Sequence, residues 1–222
     1  MNATPESSEP VGVVHVVDDD ADMLESLRFF FEAHWLRVRT YPSADAFAGE
    51  PSPEPGCLIV DLQMPGLGGL ALMQRLTEEH RLPPTIVLTA HGDVESAVKA
   101  MKLGAVEFFA KPHDSRKLLA SVKAALAAGV ERAHDAERRC SLQKSIENLT
   151  PREREIFAGM VAGQSSRQIA QALGLQPKSV EVYRSRVLDR LGFCSSLELV
   201  SVALRLVPEL ASTGLPRPAD AE

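Results

Sequence analysis

Five short apolar runs in the first 110 residues constrain the fold more than any other feature of the sequence. Each has the length of a β-strand, and segments with helical spacing of apolar residues separate them. The predicted strands are VGVVHVV, LRVRTY, CLIV, TIVLT and VEFFA. The predicted helices begin near Ala21, Ser43, Leu67, Asp93 and Asp114. This alternation predicts an α/β doubly wound, five-stranded parallel sheet covered by helices on both faces.

The rest of the chain is predicted to be helical. Residues 127–148, AAGVERAHDAERRCSLQKSIEN, are charged and helix-forming, so they should extend the preceding helix as a linker. Thr150, Pro151 and Glu153 then supply an N-cap, a first-turn proline and a capping box for a new helix. Short helices should follow, with breaks at Gly163, at the segment GLQP and near Gly192.

These patterns divide the chain into two domains. We predict an α/β domain over 11–128, a helical linker over 129–148 and a small all-α domain over 149–207. The polar first ten residues, 1–10, and the end of the chain, 208–222, are predicted to be mobile tails.

Charge is distributed unevenly between the two halves. The chain of 222 residues has 24 Lys and Arg against 30 Asp and Glu, a net charge of −6. Residues 1–140 have 14 basic and 21 acidic side chains (−7), whereas 141–222 have 10 and 9 (+1). The difference suggests that the two domains have different partners.

The sequence supports neither a membrane protein nor a protein built around a structural metal site. No window approaches the roughly 18 apolar residues of a membrane span, and the first ten residues lack the pattern of a signal peptide. Cys57, Cys140 and Cys194 are far apart and form no CxxC motif, which argues against a structural zinc site. We therefore expect a cytoplasmic protein without a membrane partner.

Acidic residues follow two of the predicted strands. Asp18, Asp19 and Asp20 follow the first, and Asp61 follows the buried strand CLIV. Because parallel strands end at the same sheet edge, Asp61 should lie beside the first acids, and crowded carboxylates favour a hard cation such as magnesium. An alternative interpretation is that Asp18 and Asp20 only cap the helix that begins near Ala21.

Two further strand ends add groups of another kind. TIVLT ends in Thr89, a hydroxyl, and VEFFA is followed by Lys111, an ammonium before a proline. A carboxylate nucleophile, acids for a metal, a hydroxyl and a lysine are the parts that phosphoryl transfer needs. Their meeting at one sheet edge indicates phosphoryl chemistry at Asp61.

With these motifs, residues 11–128 resemble the receiver domain of two-component response regulators, and the whole chain resembles the FixJ/NarL family, closest to the FixJ branch. The matching segments are VVDD, DLQMPGLGG, TAHGDVESAVKAMKLGA and FFAKP. The resemblance implies that Asp61 is the phosphoacceptor and that Thr89 and Lys111 bind the phosphoryl group. It implies a magnesium site made of Asp18, Asp19, Asp61 and the backbone carbonyl of Gln63.

The same resemblance implies how phosphorylation is transmitted. Phe108 falls on the family's switch aromatic, which is expected to turn inward as Thr89 moves; a plain core phenylalanine is the alternative. Gln63 and His91 occupy positions that in relatives influence how water reaches the acyl phosphate. The surface expected to pair two receivers comprises Val94, Val98, Met101, Lys102 and Ala105. The alternative switch is that the unphosphorylated receiver masks the DNA-binding domain and releases it on activation.

Residues 149–207 resemble the LuxR-type helix-turn-helix of these regulators. From the sequence alone, SSRQIAQALGL is a short helix closed by Gly174, and Pro177 starts a second helix that runs to about Leu191. Val180, Val187, Leu188 and Leu191 suit a core, and four basic residues can reach phosphates: Lys178, Arg184, Arg186 and Arg190. Such a helix is typical of major-groove recognition.

Within this helix, the resemblance separates base contacts from backbone contacts. Glu181, Val182 and Ser185 would face bases. The residues that mainly position the helix on the DNA, by contacts to its backbone, would be Lys178, Ser179, Arg184 and Arg186. Glu181 can accept from cytosine but is repelled by phosphate, so specificity should differ from that of relatives with lysine there. A helical bundle with a solvated basic face is the alternative.

Together these features predict a phosphorylation-dependent transcriptional response regulator. Its expected partners are a sensor histidine kinase, double-stranded promoter DNA, RNA polymerase and, on phosphorylation, a second copy of the chain. Enzymatic activity should be limited to self-phosphorylation from a phosphodonor and slow autodephosphorylation. A phosphorylation-independent DNA-binding regulator is one alternative. A magnesium-dependent phosphatase is another, but Gln63 stands where such enzymes need a second carboxylate.

Overall fold

The structure, a computed structural model, describes residues 12–50, 53–90 and 93–206. These residues form two compact units divided between Ala133 and His134. The described residues do not include the predicted tails, Val11, His91 or Val207. The expectations for these residues therefore stay predictions. The predicted domain boundaries also stay predictions. Within the described part of the chain, no helix has both the length and the hydropathy that crossing a membrane requires.

The first unit contains five parallel strands with helices between them, as the alternating pattern predicts. The strands are β1 (Val13–Val17), β2 (Arg37–Tyr41), β3 (Gly56–Val60), β4 (Thr85–Thr89) and β5 (Ala105–Ala110). The helices are α1 (Ala21–Glu32), α2 (Ala44–Ala48), α3 (Gly69–Glu78), α4 (Val94–Lys102) and α5 (Ser115–Glu147). The strand order is β2-β1-β3-β4-β5. The predicted doubly wound sheet is confirmed.

Two apolar cores cover the two faces of this sheet. Residues alternate between them along each strand, so that Val14 and Val16 of β1 face one core and Val17 faces the other. The strands β1, β3 and β4 are buried along their whole length. Burial on both faces explains why these segments are continuous apolar runs in the sequence.

Helix α5 runs through the segment that was predicted to extend it, up to Glu147. Gly129, the one strong helix breaker in this segment, lies inside the helix. A Cβ atom there would stand 1.8 Å from the carbonyl oxygen of Gly56, so only glycine lets α5 approach the start of β3 this closely. This close approach explains why a glycine stands here, although glycine lowers the intrinsic helix propensity of the segment.

The second unit contains the short helices that the breaks predict. They are α6 (Pro151–Val161), α7 (Ser166–Leu173), α8 (Pro177–Leu191) and α9 (Ser196–Leu206). Thr150 and Glu153 form the predicted capping box of α6. Gly174 and Gly192 end α7 and α8 with φ of 64° and 75°, a left-handed conformation that glycine adopts without strain. Val180 and Val187 of α8 are fully buried in the core of this unit.

Candidate functional site

The acidic edge of the sheet follows from strand register. Val17 of β1 and Val60 of β3 are direct register partners, so Asp18 and Asp61, each the next residue, emerge side by side. Carboxylate oxygens of Asp18, Asp19 and Asp61 all lie within 4.8 Å of one another. Asp18 and Asp61 are buried, and Asp19 is exposed. The structure therefore brings together the three acids that the sequence predicted as a cluster.

Asp20, and not Asp18, caps the N-terminus of α1. The carboxylate of Asp20 accepts hydrogen bonds from the backbone amides of Asp22 and Met23. The backbone amide of Asp20 donates in turn to Asp18 Oδ1 at 3.0 Å. The acidic run therefore caps α1 through Asp20 and contributes Asp18 and Asp19 to the acidic cluster.

Lys111 reaches the cluster from the end of β5. Its backbone amide donates to the carbonyl of Thr89 at 2.8 Å, which holds the turn after β5 against the end of β4. Its Nζ lies 2.6 Å from Asp18 Oδ2 and 3.4 Å from Asp61 Oδ2. One ammonium thus bridges the two buried carboxylates and offsets their mutual repulsion.

Burial and ion pairing act against each other in this cluster. Burial raises the pKa of Asp18, while hydrogen bonds from Lys111 and the Asp20 amide partly counter this rise. For Lys111, burial alone would lower the pKa, but the hydrogen bond and charge of Asp18, together with Asp61, outweigh it and raise the pKa. Lys111 therefore remains a cation at neutral pH.

The donor set of the acidic edge fits magnesium. Asp18, Asp19 and Asp61 offer only oxygen ligands, and the exposed side chain of Asp19 leaves one side open to water. Mg²⁺ prefers a few carboxylates combined with water over a closed protein cage. The chain turns back after Asp61, so that the amide of Gln63 lies 3.4 Å from Asp61 Oδ1.

Two glycines after Asp61 are required, one by its backbone conformation and one by close packing. Gly66 has a φ of 76°, in the left-handed region that favours glycine. A Cβ atom on Gly69 would lie 2.1 Å from the carbonyl oxygen of Asp61, because the start of α3 lies directly against the acidic residue. The amide of Gly69 donates to the carbonyl of Leu62 at 3.1 Å. These glycines let the chain fold tightly behind Asp61.

Thr89 and Phe108 lie on the neighbouring strands. Thr89 is fully buried as the last residue of β4, at the same sheet edge as Asp61. Phe108 of β5 is partly buried against the core on the α4 side. It also lines an open groove between α4 and β5, together with Val94, Val98 and Met101.

Exposed apolar side chains surround this groove. Val94 is 80% exposed, Val98 46% and Met101 50%, so the three form a cluster of exposed apolar residues along the groove. Ala105, which was expected on the same surface, is buried at 6% exposure and cannot take part in a surface contact. It is the first residue of β5 and packs into the core, so its assignment to that surface was wrong.

Helix α8 presents one polar face to solvent. Its exposed members recur every three or four residues, as one face of a helix requires. They are Pro177, Lys178, Glu181, Val182, Ser185, Arg186, Asp189 and Arg190. Ser179 lies at the margin of this face and is partly buried. The guanidinium carbon of Arg186 lies 5.7 Å from the ring centroid of Tyr183, within the range of a cation–π contact.

Two arginines of α8 are bonded within the unit. Arg184 donates to the carbonyl of Gln164 at 3.3 Å and to Ser196 Oγ at 3.0 Å. Arg190 pairs with the buried carboxylate of Glu153 at 3.3 Å. These intramolecular partners could not be predicted from the sequence, because a basic side chain on a helix carries no signal of them.

Comparisons with known proteins identify both units. Residues 14–123 match the family model of the response regulator receiver domain, and 147–203 match that of bacterial regulatory proteins of the luxR family. The transcriptional regulatory protein FixJ of Azorhizobium caulinodans is 42% identical over 193 residues, 86% of this chain and 91% of the relative. The regulatory protein TdiR of Thauera aromatica is 37% identical, over 86% of this chain and 85% of its own length.

Solved structures agree with this relationship. The response regulator StyR shares 34% identity at a TM-score of 0.73, over 87% of this chain and 98% of that one. Full-length FixJ from B. japonicum shares 36% identity at a TM-score of 0.53, over 88% and 97%. The chain therefore belongs to the FixJ-like family of two-component response regulators, in which a receiver domain precedes a LuxR-type DNA-binding domain, and it is a transcription regulator.

Proposed function

We propose that phosphorylation of Asp61 by a sensor histidine kinase switches this regulator. The observation that carries the proposal is that the Asp61 carboxylate meets those of Asp18 and Asp19 at the acidic edge of the sheet, with the ammonium of Lys111 3.4 Å from it. A nucleophile, a cation and a set of oxygen ligands meet there within a few ångströms.

The residues of this edge have separate parts in the transfer. A carboxylate oxygen of Asp61 forms a bond to phosphorus while the bond from phosphorus to a histidine nitrogen of the kinase breaks. Lys111, already 3.4 Å from Asp61 Oδ2, balances the negative charge that arrives with the phosphoryl group. Magnesium held by Asp18, Asp19, Asp61 and the Gln63 carbonyl would supply further positive charge for the phosphoryl oxygens.

Hydrolysis of the acyl phosphate should be slow. A fast phosphatase needs a proton donor for the leaving group and a base for water, and Gln63, two residues beyond Asp61, can provide neither. The protein thus keeps its phosphoryl group as a signal and catalyses only its own phosphorylation and slow dephosphorylation.

The phosphoryl group would act on the surface formed by α4 and β5. Thr89 ends β4 at the acidic edge, and Phe108 lies between the core and the groove lined by Val94, Val98 and Met101. Movement of Thr89 toward the phosphoryl group would free space for Phe108 to turn inward. The exposed apolar residues of the groove would then pair with those of a second receiver.

Pairing of receivers would bring two DNA-binding domains to adjacent half-sites. Each contact alone is weak, and linking two raises the overall affinity through effective concentration. Glu181, Val182 and Ser185 would face bases, with Lys178, Ser179 and Arg186 on the backbone; Arg184 receives a different role below. We place the protein in the cytoplasm, where promoter DNA and RNA polymerase are its remaining partners.

Phosphorylation can be tested by intact-mass measurement after incubation with acetyl phosphate and magnesium. The wild type should gain the mass of one phosphoryl group and lose it on treatment with hydroxylamine, which cleaves acyl phosphates. Asp61→Asn should gain none, whereas the matched control Asp22→Asn, an exposed carboxylate of the first turn of α1, should behave as wild type. Equal uptake by Asp61→Asn would contradict the proposal, and no uptake by the wild type would favour a phosphorylation-independent regulator.

A further inference from the structure

Arg184 lies on the side of α8 that borders the buried face, and it is partly buried. It follows Val180 by four residues and precedes Val187 by three, and both valines are fully buried. Residues at these spacings share a helix face, so Arg184 emerges toward the neighbouring helices. Ser185, one residue further along, points about 100° away and is exposed.

The guanidinium of Arg184 bonds to elements on both sides of α8. One nitrogen donates to the carbonyl of Gln164, in the turn between α6 and α7, at 3.3 Å. Another donates to the hydroxyl of Ser196, the first residue of α9, at 3.0 Å. A guanidinium has a rigid fork of donors, so the two bonds fix both its position and its orientation.

The acceptors of Arg184 are themselves held in place. Gln164 donates its backbone amide to the carbonyl of Gly159 at 2.9 Å, which ties the turn to the end of α6. Ser196 begins a helix whose Leu199 and Ala203 are buried in the core. Movement of α8 against either neighbour would therefore break a hydrogen bond of Arg184.

Two other cations of α8, Lys178 and Arg186, differ in this respect. Lys178 and Arg186 are exposed on the polar face, with their charged ends available to solvent. Arg184 is only partly exposed and spends donors on two fixed acceptors. Donors remain on the guanidinium, but a phosphate would have to reach them at this partly buried position without displacing the bonds to Gln164 and Ser196.

We infer that Arg184 is a positioning residue of the DNA-binding domain: it fixes the orientation of α8 through Gln164 and Ser196 and is not itself a phosphate contact. The inference rests on the proposed role of α8 as the recognition helix. Under this inference, discrimination between DNA sequences depends partly on a side chain that contacts no base.

Salt dependence of DNA binding separates a positioning residue from a phosphate contact. Loss of one phosphate contact lowers the slope of log affinity against log salt by about 0.9 for duplex DNA. Loss of a positioning residue leaves this slope unchanged, because the number of counterions released stays the same. It weakens binding to the preferred sequence more than binding to an unrelated one, since misplaced side chains lose their base contacts.

The experiment uses the full chain, treated with beryllofluoride and magnesium, and two labelled duplexes. One duplex is recovered from a random-sequence pool by selection with the wild type, and the other is a scrambled version of it. Anisotropy titrations over a range of salt concentrations then compare Arg184→Gln, Arg184→Lys and Ser196→Ala with the control Arg186→Gln. Ser196→Ala is the most informative variant because it removes a partner of Arg184 and leaves every charge in place.

Ser196→Ala and Arg184→Gln should each bind the selected duplex several-fold to about tenfold more weakly, the size expected for the loss of one typical hydrogen bond. Their affinity for the scrambled duplex and their salt slopes should equal those of the wild type. Arg184→Lys, which can reach only one acceptor, should recover part of the discrimination. Arg186→Gln should weaken binding to both duplexes and lower the slope by about one.

Three results would overturn the inference. A lower salt slope in Arg184→Gln, restored by Arg184→Lys, would identify a phosphate contact, especially if Ser196→Ala bound as the wild type does. Equal loss on both duplexes would show that Arg184 only supports folding, because a smaller folded fraction does not change the ratio of the two affinities. If the wild type bound the selected and the scrambled duplex with equal affinity, the recognition role of α8 itself would be contradicted, and the inference would fail with it.

Discussion

At the scale of single residues, the acidic edge combines buried carboxylates with an ammonium, and burial of either kind of group alone would be unfavourable. Asp18 is buried almost completely, and burial raises its pKa, yet it lies within ion-pair distance of Lys111. Two buried carboxylates at this spacing repel each other, and one ammonium cannot neutralise both. The pocket therefore retains a net negative charge, which favours a divalent cation.

Magnesium should stabilise the folded receiver through this charge. A ligand that binds only the native state adds about 2.7 kcal/mol at 100 times its dissociation constant. We expect magnesium to raise the thermal unfolding temperature of the wild type and chelation to reverse the rise. Asp19→Asn should lose this effect, since Asp19 is an exposed member of the cluster whose substitution leaves the core intact.

Asp22→Asn serves as the control for this measurement, because it removes an exposed carboxylate from α1 that is not part of the cluster. It should keep the full magnesium effect. If Asp19→Asn gains as much stability from magnesium as the wild type does, the ion binds elsewhere.

Gly69 limits what the chain behind Asp61 can accept. In Gly69→Ala the new Cβ would meet the carbonyl oxygen of Asp61 at 2.1 Å, and backbone must shift to relieve this contact. We expect a loss of about 1–3 kcal/mol in unfolding free energy, as for overpacked sites, together with slower phosphoryl uptake. Urea unfolding and the acetyl phosphate reaction measure the two effects.

The neighbouring glycine provides the comparison. In Gly68→Ala the nearest atom, the carbonyl oxygen of Leu62, would be 3.2 Å from the Cβ, so the variant should lose less stability. Equal stability of Gly69→Ala and wild type would show that α3 does not pack against Asp61 as described.

At the scale of elements, α8 begins without a side-chain cap. Gln176 occupies the N-cap position but its side chain accepts no hydrogen bond from the first turn, whereas Ser165 caps α7 through the amide of Gln168. The backbone supplies what pairing there is, because Pro177 has no N–H and the amide of Ser179 donates to the carbonyl of Gln176 at 2.9 Å.

Gln176→Ser should stabilise the first turn of α8 by about 0.5–1 kcal/mol, since serine is among the preferred N-cap residues. Hydrogen exchange of the Lys178 and Ser179 amides reports on this turn directly and should slow in the variant. Ser165→Ala is the reverse control and should speed exchange at the start of α7. Unchanged exchange in Gln176→Ser would mean that serine does not cap this helix.

Strands and helices could be predicted from the sequence because each has its own periodicity. Buried parallel strands are short apolar runs, and the capping signals at Thr150 and Pro177 mark helix starts. Ala105 shows the limit of such reasoning. It lies just after α4 in the sequence, but strand pairing with Thr85 takes it into the core, and no local pattern reports that pairing.

At the scale of the whole molecule, the composition of the acidic site could be predicted and its contacts could not. Parallel topology places Asp18, Asp61, Thr89 and Lys111 at one edge, so their types and strand positions were sufficient to group them. The bond from Lys111 to Asp18 joins residues 93 positions apart, and only the folded structure shows which carboxylate the lysine prefers. For the same reason the sequence did not show that Arg184 is held by Gln164 and Ser196.

The central claim is that a phosphoryl group on Asp61 makes two copies of the chain associate. Sedimentation velocity of wild type, Asp61→Asn and Asp22→Asn, each with magnesium before and after beryllofluoride, tests it most directly. We predict that wild type and Asp22→Asn shift from monomer to dimer on addition of beryllofluoride, and that Asp61→Asn stays monomeric. A dimer of Asp61→Asn under the same conditions, or a wild type that stays monomeric, would contradict the account.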